Sequence, residues 1–158
     1  MDDQLNMIDL NVRALTQLTH LCLPHMIARG SGQILQVSSS ASFVPGPMMA
    51  VYYATKAYVT SFSLAIAEEV KDKGITVTTL CPGPVATNFL KTAGVQAQSV
   101  QQAANSPVKV AEAGYRAMLS GDLEVIDRLP LKLGIKAIVP FIPTSVILKA
   151  SHRFMKQR

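Results

Sequence analysis

The 158-residue sequence has no tryptophan, only two cysteines and few charges, and each shortage removes a class of explanation. Cys22 and Cys81 lie far apart with no Cys-x-x-Cys pair, so no disulfide framework is indicated. His20 and His25 are five apart rather than one helical turn, and no metal site is expected from them. Both thiols read as reduced, in a cytoplasmic protein. Long apolar runs are missing too. Ala137 to Leu148 covers twelve residues with two prolines, short of the ~20 a membrane span needs. The opening Met1-Asp-Asp-Gln is acidic and carries no hydrophobic signal region. Charged residues make up 16% of the chain, where an intact soluble domain carries about 25%. That shortfall suits a half-domain whose helices and strands expect partners.

Acidic residues vanish altogether after Asp127. Residues 1–127 hold eight Lys/Arg against ten Asp/Glu, whereas 128–158 hold seven Lys/Arg and no acid. The sequence therefore divides into a main part, 1–127, and a basic amphipathic extension, 128–158. The extension reads first as a cover over a cleft or a subunit contact. Its second reading is a peripheral contact with an anionic membrane surface. It lacks the interleaved aromatics of a single-strand nucleic-acid groove, so nucleic acid is not an expected partner.

What is present alternates between two periods. Gln4 to Ala28 places Leu5, Ile8, Val12, Leu15, Leu18, Leu21 and Cys22 at helical spacing, with Pro24 expected to kink or tighten its end and Gly30 to stop it. Gln33 to Ser38 is a short strand, and Pro45-Gly46-Pro47 turns into a second helix from near Val51 to about Lys71. Gly74 closes that helix, and Ile75 to Leu80 is a β-branched strand. Residues 88–106 are polar and glutamine-rich, and read as a loop with at most short helical pieces. Ser106-Pro107 predicts an N-cap and first helical residue for a helix to about Leu119. Leu123 to Ile126 is a further strand. This alternation predicts an α/β fold with a parallel sheet and helices on its faces.

The chemistry gathers around Ser39, Tyr52 and Lys56. Tyr52 and Lys56 are four apart, so on a helix they share a face, and Ser39 ends an apolar strand thirteen residues earlier. A nearby ammonium favours phenolate and lowers a tyrosine pKa from its reference near ~10. Such a phenol becomes a usable proton donor and acceptor. Tyr53 would need a lysine at position 57, which is Ala57, so Tyr52 is preferred. Ser38 and Ser40 read as capping or turn residues. A serine-hydrolase reading fails, because Ser39 lacks a Gly-x-Ser-x-Gly elbow and no histidine is placed to serve it. Ligands of parallel sheets collect outside the carboxyl ends of strands, where both Ser39 and the Pro82-Gly83 turn fall.

The order and spacing of Ser39, Tyr52 and Lys56 resemble the active site of classical short-chain dehydrogenases/reductases. Asn11, in Asp9-Leu-Asn-Val, matches the family's catalytic asparagine, and Cys81-Pro-Gly-Pro-Val-Ala-Thr87 is similar to its Pro-Gly segment beside the nicotinamide. The resemblance implies a Rossmann-like parallel sheet with flanking helices and NADP or NAD as cofactor. It also implies an alcohol or carbonyl substrate and a homo-oligomer. By the same resemblance Tyr52 passes the substrate proton and Ser39 holds the substrate oxygen. Lys56 depresses the Tyr52 pKa and binds the ribose, and Asn11 supports a water linked to Lys56. Pro82, Gly83, Val85 and Thr87 line the nicotinamide pocket, with Tyr52 and Lys56 also touching the cofactor. No Gly-x-x-x-Gly-x-Gly or Gly-x-Gly-x-x-Gly occurs in the sequence, so the chain resembles an N-terminally truncated family member without the usual pyrophosphate cradle. The expectation is an oxidoreductase that turns over poorly alone. The alternative is a non-catalytic interaction or oligomerisation module of the same descent, membrane-associated or not.

Overall fold

The computed structural model of the chain describes residues 1–89 and 102–155. Its first helical rod comprises α1 (Asp2–Ile8), a π-helical turn (Asp9–Ala14) and α2 (Leu15–Arg29). The backbone stays right-handed helical at Ile8 and Leu15 on either side of the wide turn, so the rod is continuous. Pro24 lies inside α2, which nevertheless runs on to Arg29. Gly30 then adopts φ +68°, and the Gly30 and Ser31 N–H groups close on Ile27 and Met26 carbonyls at 3.1 and 3.2 Å. A left-handed glycine with this bond pattern satisfies the last helical carbonyls, which is why the helix stops there.

Strand β1 (Gly32–Val37), α3 (Ala50–Val70) and β2 (Ile75–Leu80) form a parallel crossover unit. The register pairs Gly32 with Ile75 and Val37 with Leu80. Ser38 N–H extends the ladder by donating to Leu80 O at 2.8 Å, which matches the expected reach of the strand. After the 102–106 segment come α4 (Pro107–Ser120) and the two-residue strand β3 (Glu124–Val125), parallel to β2. The sheet order is β1-β2-β3 among the described residues. The expected helix at Ser106-Pro107 is present, but the Ser106 side chain makes no capping bond. Instead the Asn105 side chain accepts from Ser106 N–H at 2.9 Å. Most of the polar 88–106 segment lies outside the described residues.

Apolar side chains of α2, α3 and β2 fill the gap between sheet and helices. Ala67, Val70, Ile75 and Val77 are buried together, with Leu23, Met26, Ile34 and Ile66 packed on them. A second cluster joins Cys81 and Ile126 at the strand ends to Ile135, with Phe43 and Leu131 against it. Ile135 comes from the basic C-terminal stretch, which forms α5 (Leu129–Leu133), a π turn (Gly134–Ile138), a 3₁₀ turn (Val139–Phe141) and α6 (Thr144–Met155). Lys136 in that stretch pairs with Glu124 at 2.8 Å and lies 4.8 Å from the Phe43 ring centre. No helix among the described residues is long and apolar enough to cross a membrane.

Candidate active site

Parallel strands place their carboxyl ends on one side of the sheet, and here those ends deliver Ser39, the Pro82-Gly83 turn and Asp127 together. Ser38 and Ser39 follow β1 and point to different tasks. The Ser38 hydroxyl donates to Lys56 O at 2.9 Å and shares a 2.6 Å bond with Thr60, tying the strand to α3. The buried Ser39 hydroxyl accepts from Ala41 N–H at 3.1 Å, which turns the chain into the 3₁₀ segment Ser40–Phe43. Ser39 lies near enough to the Tyr52 side chain for its hydroxyl to favour the phenolate.

Tyr52 and Lys56 project from the first two turns of α3. Burial pushes the Tyr52 phenol above its ordinary value, and the neighbouring Ser39 hydroxyl opposes that shift. Lys56 is likewise pushed down by burial, with Cys81 acting the other way. Its Nζ donates to Val37 O at 3.0 Å, so the ammonium is anchored to the last residue of β1. The sequence expectation that Lys56 depresses the phenol therefore differs from what this arrangement does: desolvation governs Tyr52, and Ser39 is the group that draws it back. The shared helical face is present, but the lysine's flexible stem reaches the strand-end carbonyl.

Asn11 lies in the π turn, a local widening of the helix that is frequent at functional sites. Its Nδ2 donates to Thr55 Oγ1 at 3.1 Å, and Thr55 Oγ1 donates to Tyr52 O at 2.9 Å. Asn11 is thus joined to the tyrosine through the Tyr52 backbone, one residue removed.

The turn after β2 forms the far side of the site. Pro82 is buried and its carbonyl accepts from Ser40 N–H at 2.8 Å, linking it to the Ser39 loop. Val85 bridges Asn105, and Thr87 Oγ1 accepts from Phe89 N–H at 3.3 Å. The Phe89 ring sits 5.2 Å from that of Tyr52, within the range of favourable aromatic pairs. Gly83 N–H donates to Asp127 Oδ1 at 2.9 Å. Phe89, Asn105 and Asp127 are site residues that pattern reading does not single out; an aromatic two residues past Thr87 is the only local hint.

Cys81, beneath the turn, is buried and its thiol is pushed up by that burial, which makes it a packing residue. No group of His, Cys, Asp and Glu among the described residues could hold a metal ion. A phenol and a hydroxyl side by side at the strand ends can bind one oxygen and exchange a proton with it.

A parallel α/β half-sheet with a serine, a tyrosine and a lysine at its carboxyl end is the arrangement that the sequence resemblance implies. The family model for short chain dehydrogenase matches residues 1–98, and the chain belongs to that family. The very-long-chain 3-oxoacyl-CoA reductase of Rattus norvegicus is 44% identical over 85 residues, which is 54% of this chain and 27% of that protein. The 17-beta-hydroxysteroid dehydrogenase type 3 of Mus musculus is 40% identical over 86 residues, 54% of this chain and 28% of that protein. The matched stretch thus spans about a quarter of the length of these curated relatives. Among solved structures, a 7β-hydroxysteroid dehydrogenase superposes with a TM-score of 0.78 at 20% identity, covering 92% of this chain and 57% of that one. A short-chain dehydrogenase from Sphingobium yanoikuyae in complex with NADPH superposes at 0.71 with 25% identity, covering 86% and 56%. The Rossmann-like architecture expected from the sequence is therefore the observed fold.

Proposed function

We propose that this chain carries the substrate-side half of an NAD(P)-dependent oxidoreductase that interconverts an alcohol and a carbonyl, with Tyr52 as proton donor and acceptor. The observation that carries this reading is the placement of Ser39, at the carboxyl end of β1, beside the Tyr52 phenol, with Lys56 one turn further along the same helix. The names of the curated relatives, 3-oxoacyl-CoA reductases and a hydroxysteroid dehydrogenase, favour carbonyl reduction as the chemistry. The donors present suit the nicotinamide–ribose end of the cofactor: the Lys56 ammonium, the Tyr52 and Thr87 hydroxyls, and the backbone of the Pro82–Val85 turn. They do not suit its pyrophosphate, since the sequence holds no glycine-rich turn. The cofactor, when bound, supplies the hydride.

The protein's own part is to hold and protonate the substrate oxygen. Ser39 orients that oxygen against the Tyr52 phenol. A phenol is protonated at neutral pH, as reduction requires, and burial moves its titration further from that range. Lys56 takes the ribose hydroxyls, and Asn11, through Thr55, fixes the backbone of Tyr52. Fluorescence titration of the 158-residue chain with NADPH tests the reading, with Lys56→Ala as control and Tyr52→Phe assayed on a carbonyl panel. Saturable binding that Lys56→Ala removes, together with turnover that Tyr52→Phe abolishes, is the expected result. Slow turnover is expected even in the parent chain. Turnover that survives Tyr52→Phe would refute the role of the phenol.

A second reading concerns the C-terminal stretch. Leu129, Leu133, Ile138 and Phe141 are more than half exposed, Phe141 at 84%, on a segment with seven cations and no acid. Apolar and cationic side chains together fit the surface of an anionic bilayer. Deleting 128–158 would also remove the buried Ile135, so the test is Phe141→Ser with Lys132→Glu in sedimentation with phosphatidylserine vesicles. An unchanged bound fraction would rule out this surface.

A further inference from the structure

Asp127 is the one acidic side chain wholly enclosed among the described ion pairs, at 0% exposure. Enclosure of a carboxylate is costly unless each oxygen is satisfied, and its partners show where it acts. Oδ1 accepts from Gly83 N–H at 2.9 Å, on the turn beside the reacting groups. Oδ2 accepts from Asn105 Nδ2 at 3.0 Å and has Arg128 Nε at 4.0 Å. Asn105 in turn brackets Val85 from both sides, donating its N–H to Pro84 O at 2.8 Å and accepting from Ala86 N–H at 3.0 Å. It also holds Ser106 N–H at the start of α4. One carboxylate thus joins the point where the chain leaves β2, the point where it returns before α4, and the end of β3.

We propose that Asp127 is a positioning residue for the nicotinamide side of the site. It fixes the Gly83 turn and Asn105 in one arrangement without itself touching substrate or cofactor. The proposal rests on the oxidoreductase reading above for its consequence, and on the Gly83 and Asn105 hydrogen bonds for its geometry. A side chain that merely filled space could be replaced by any isostere. A positioning carboxylate cannot, because both of its oxygens must accept. In Asp127→Asn one accepting atom becomes an amide donor, which meets either the Gly83 N–H or the Asn105 amide donor. Adding Asn105→Asp inverts the polarity of the Asp127–Asn105 pair: the new amide donates to the new carboxylate, while its oxygen still accepts from Gly83.

The test compares the parent chain, Asp127→Asn, Asn105→Asp and the double exchange. Each is measured by amide hydrogen exchange at Gly83 and by NADPH fluorescence titration. Gly83 protection is expected to fall in both single variants and to return in the double exchange. NADPH dissociation constants should follow the same order, with a loss of about tenfold in each single variant for a disrupted charged hydrogen bond. Unchanged Gly83 exchange in Asp127→Asn would overturn the proposal. So would unchanged NADPH affinity in a variant whose Gly83 amide is exposed, and so would a double exchange no better than its singles. If the parent chain binds no NADPH, the cofactor reading fails on its own account, and Gly83 exchange across the four proteins still decides whether Asp127 positions the turn.

Discussion

Gly30 and Gly74 form a natural pair for separating backbone strain from collision. Both close helical segments with φ near +70°, and both precede a strand. A Cβ on Gly30 would meet no atom within 4 Å, whereas one on Gly74 would lie 2.2 Å from the Gly30 carbonyl oxygen. Gly30→Ala therefore carries only the left-handed penalty of an L-residue, about 1–2 kcal/mol. Gly74→Ala carries the same penalty plus a clash with backbone that has no rotamer to escape through. Forced repacking of this kind adds about 1–3 kcal/mol. The displaced backbone lies at the mouth of the β1–β2 ladder, whose first pair is Gly32 with Ile75. With a urea m-value of about 2 kcal/mol/M, the midpoint for Gly74→Ala should fall below that of Gly30→Ala by about 0.5–1.5 M. Because β2 ends in the Pro82-Gly83 turn, NADPH binding should weaken in Gly74→Ala more than in Gly30→Ala at matched folded fraction. Equal midpoints for the two variants would refute the reasoning, since they would mean that the close approach carries no energy.

Ile135→Ala should cost about 2–4 kcal/mol in urea unfolding, because Ile135 is buried against Cys81 and Ile126 and truncation leaves a cavity; a loss under about 1 kcal/mol would show that the C-terminal stretch is not part of this core. Ser39→Ala should move the Tyr52 titration further up, since the Ser39 hydroxyl is what opposes burial; tyrosinate absorbance, taken as a difference against the same protein with Tyr52→Phe, reads it, and a downward move contradicts the assignment. The sign for stability follows from the same shift. A folded value above the unfolded one near ~10 leaves stability intact below that pH, and it is lost as pH rises through the folded value. Asn11→Ala should cost about 1 kcal/mol through the Thr55 bond, and a double-mutant cycle with Thr55→Val should show the two losses to be non-additive.

Much of the fold was legible because its punctuation is local. The β-branched run Ile75 to Leu80, the Gly30 and Gly74 stops, and the apolar spacing of the two long helices each act within a few residues. The π turn at Asp9–Ala14 was not, since Leu5, Ile8, Val12 and Leu15 fit an ordinary helical stripe as well as a widened one. Ser106 illustrates the same limit in reverse. It stands at the N-cap with Pro107 as the first helical residue, yet its side chain makes no capping bond and Asn105 takes its N–H. Asn105 is drawn to that geometry by Asp127, twenty-two residues away, a relation that no local pattern records.

The candidate site divides along the same line. Ser39, Tyr52 and Lys56 were readable because a strand end and one helix face fix their relative placement. What the shared face leaves open is the direction in which a four-carbon stem turns, and the Val37 carbonyl at the end of β1 takes the Lys56 ammonium. Desolvation of Tyr52 was hidden as well, because it arises from what packs over the phenol, with the Phe89 ring 5.2 Å from its own. The shortest strand decides most. β3 pairs through only Glu124 and Val125, and its contribution to the sheet is slight. Yet parallel pairing carries the chain two residues further in the same direction as β1 and β2, to Asp127. A carboxylate placed there reaches the Gly83 N–H across forty-four residues of sequence. The strand's importance therefore lies in where it points its end, and a reading that weighs elements by length passes over the residue that ties the turn in place.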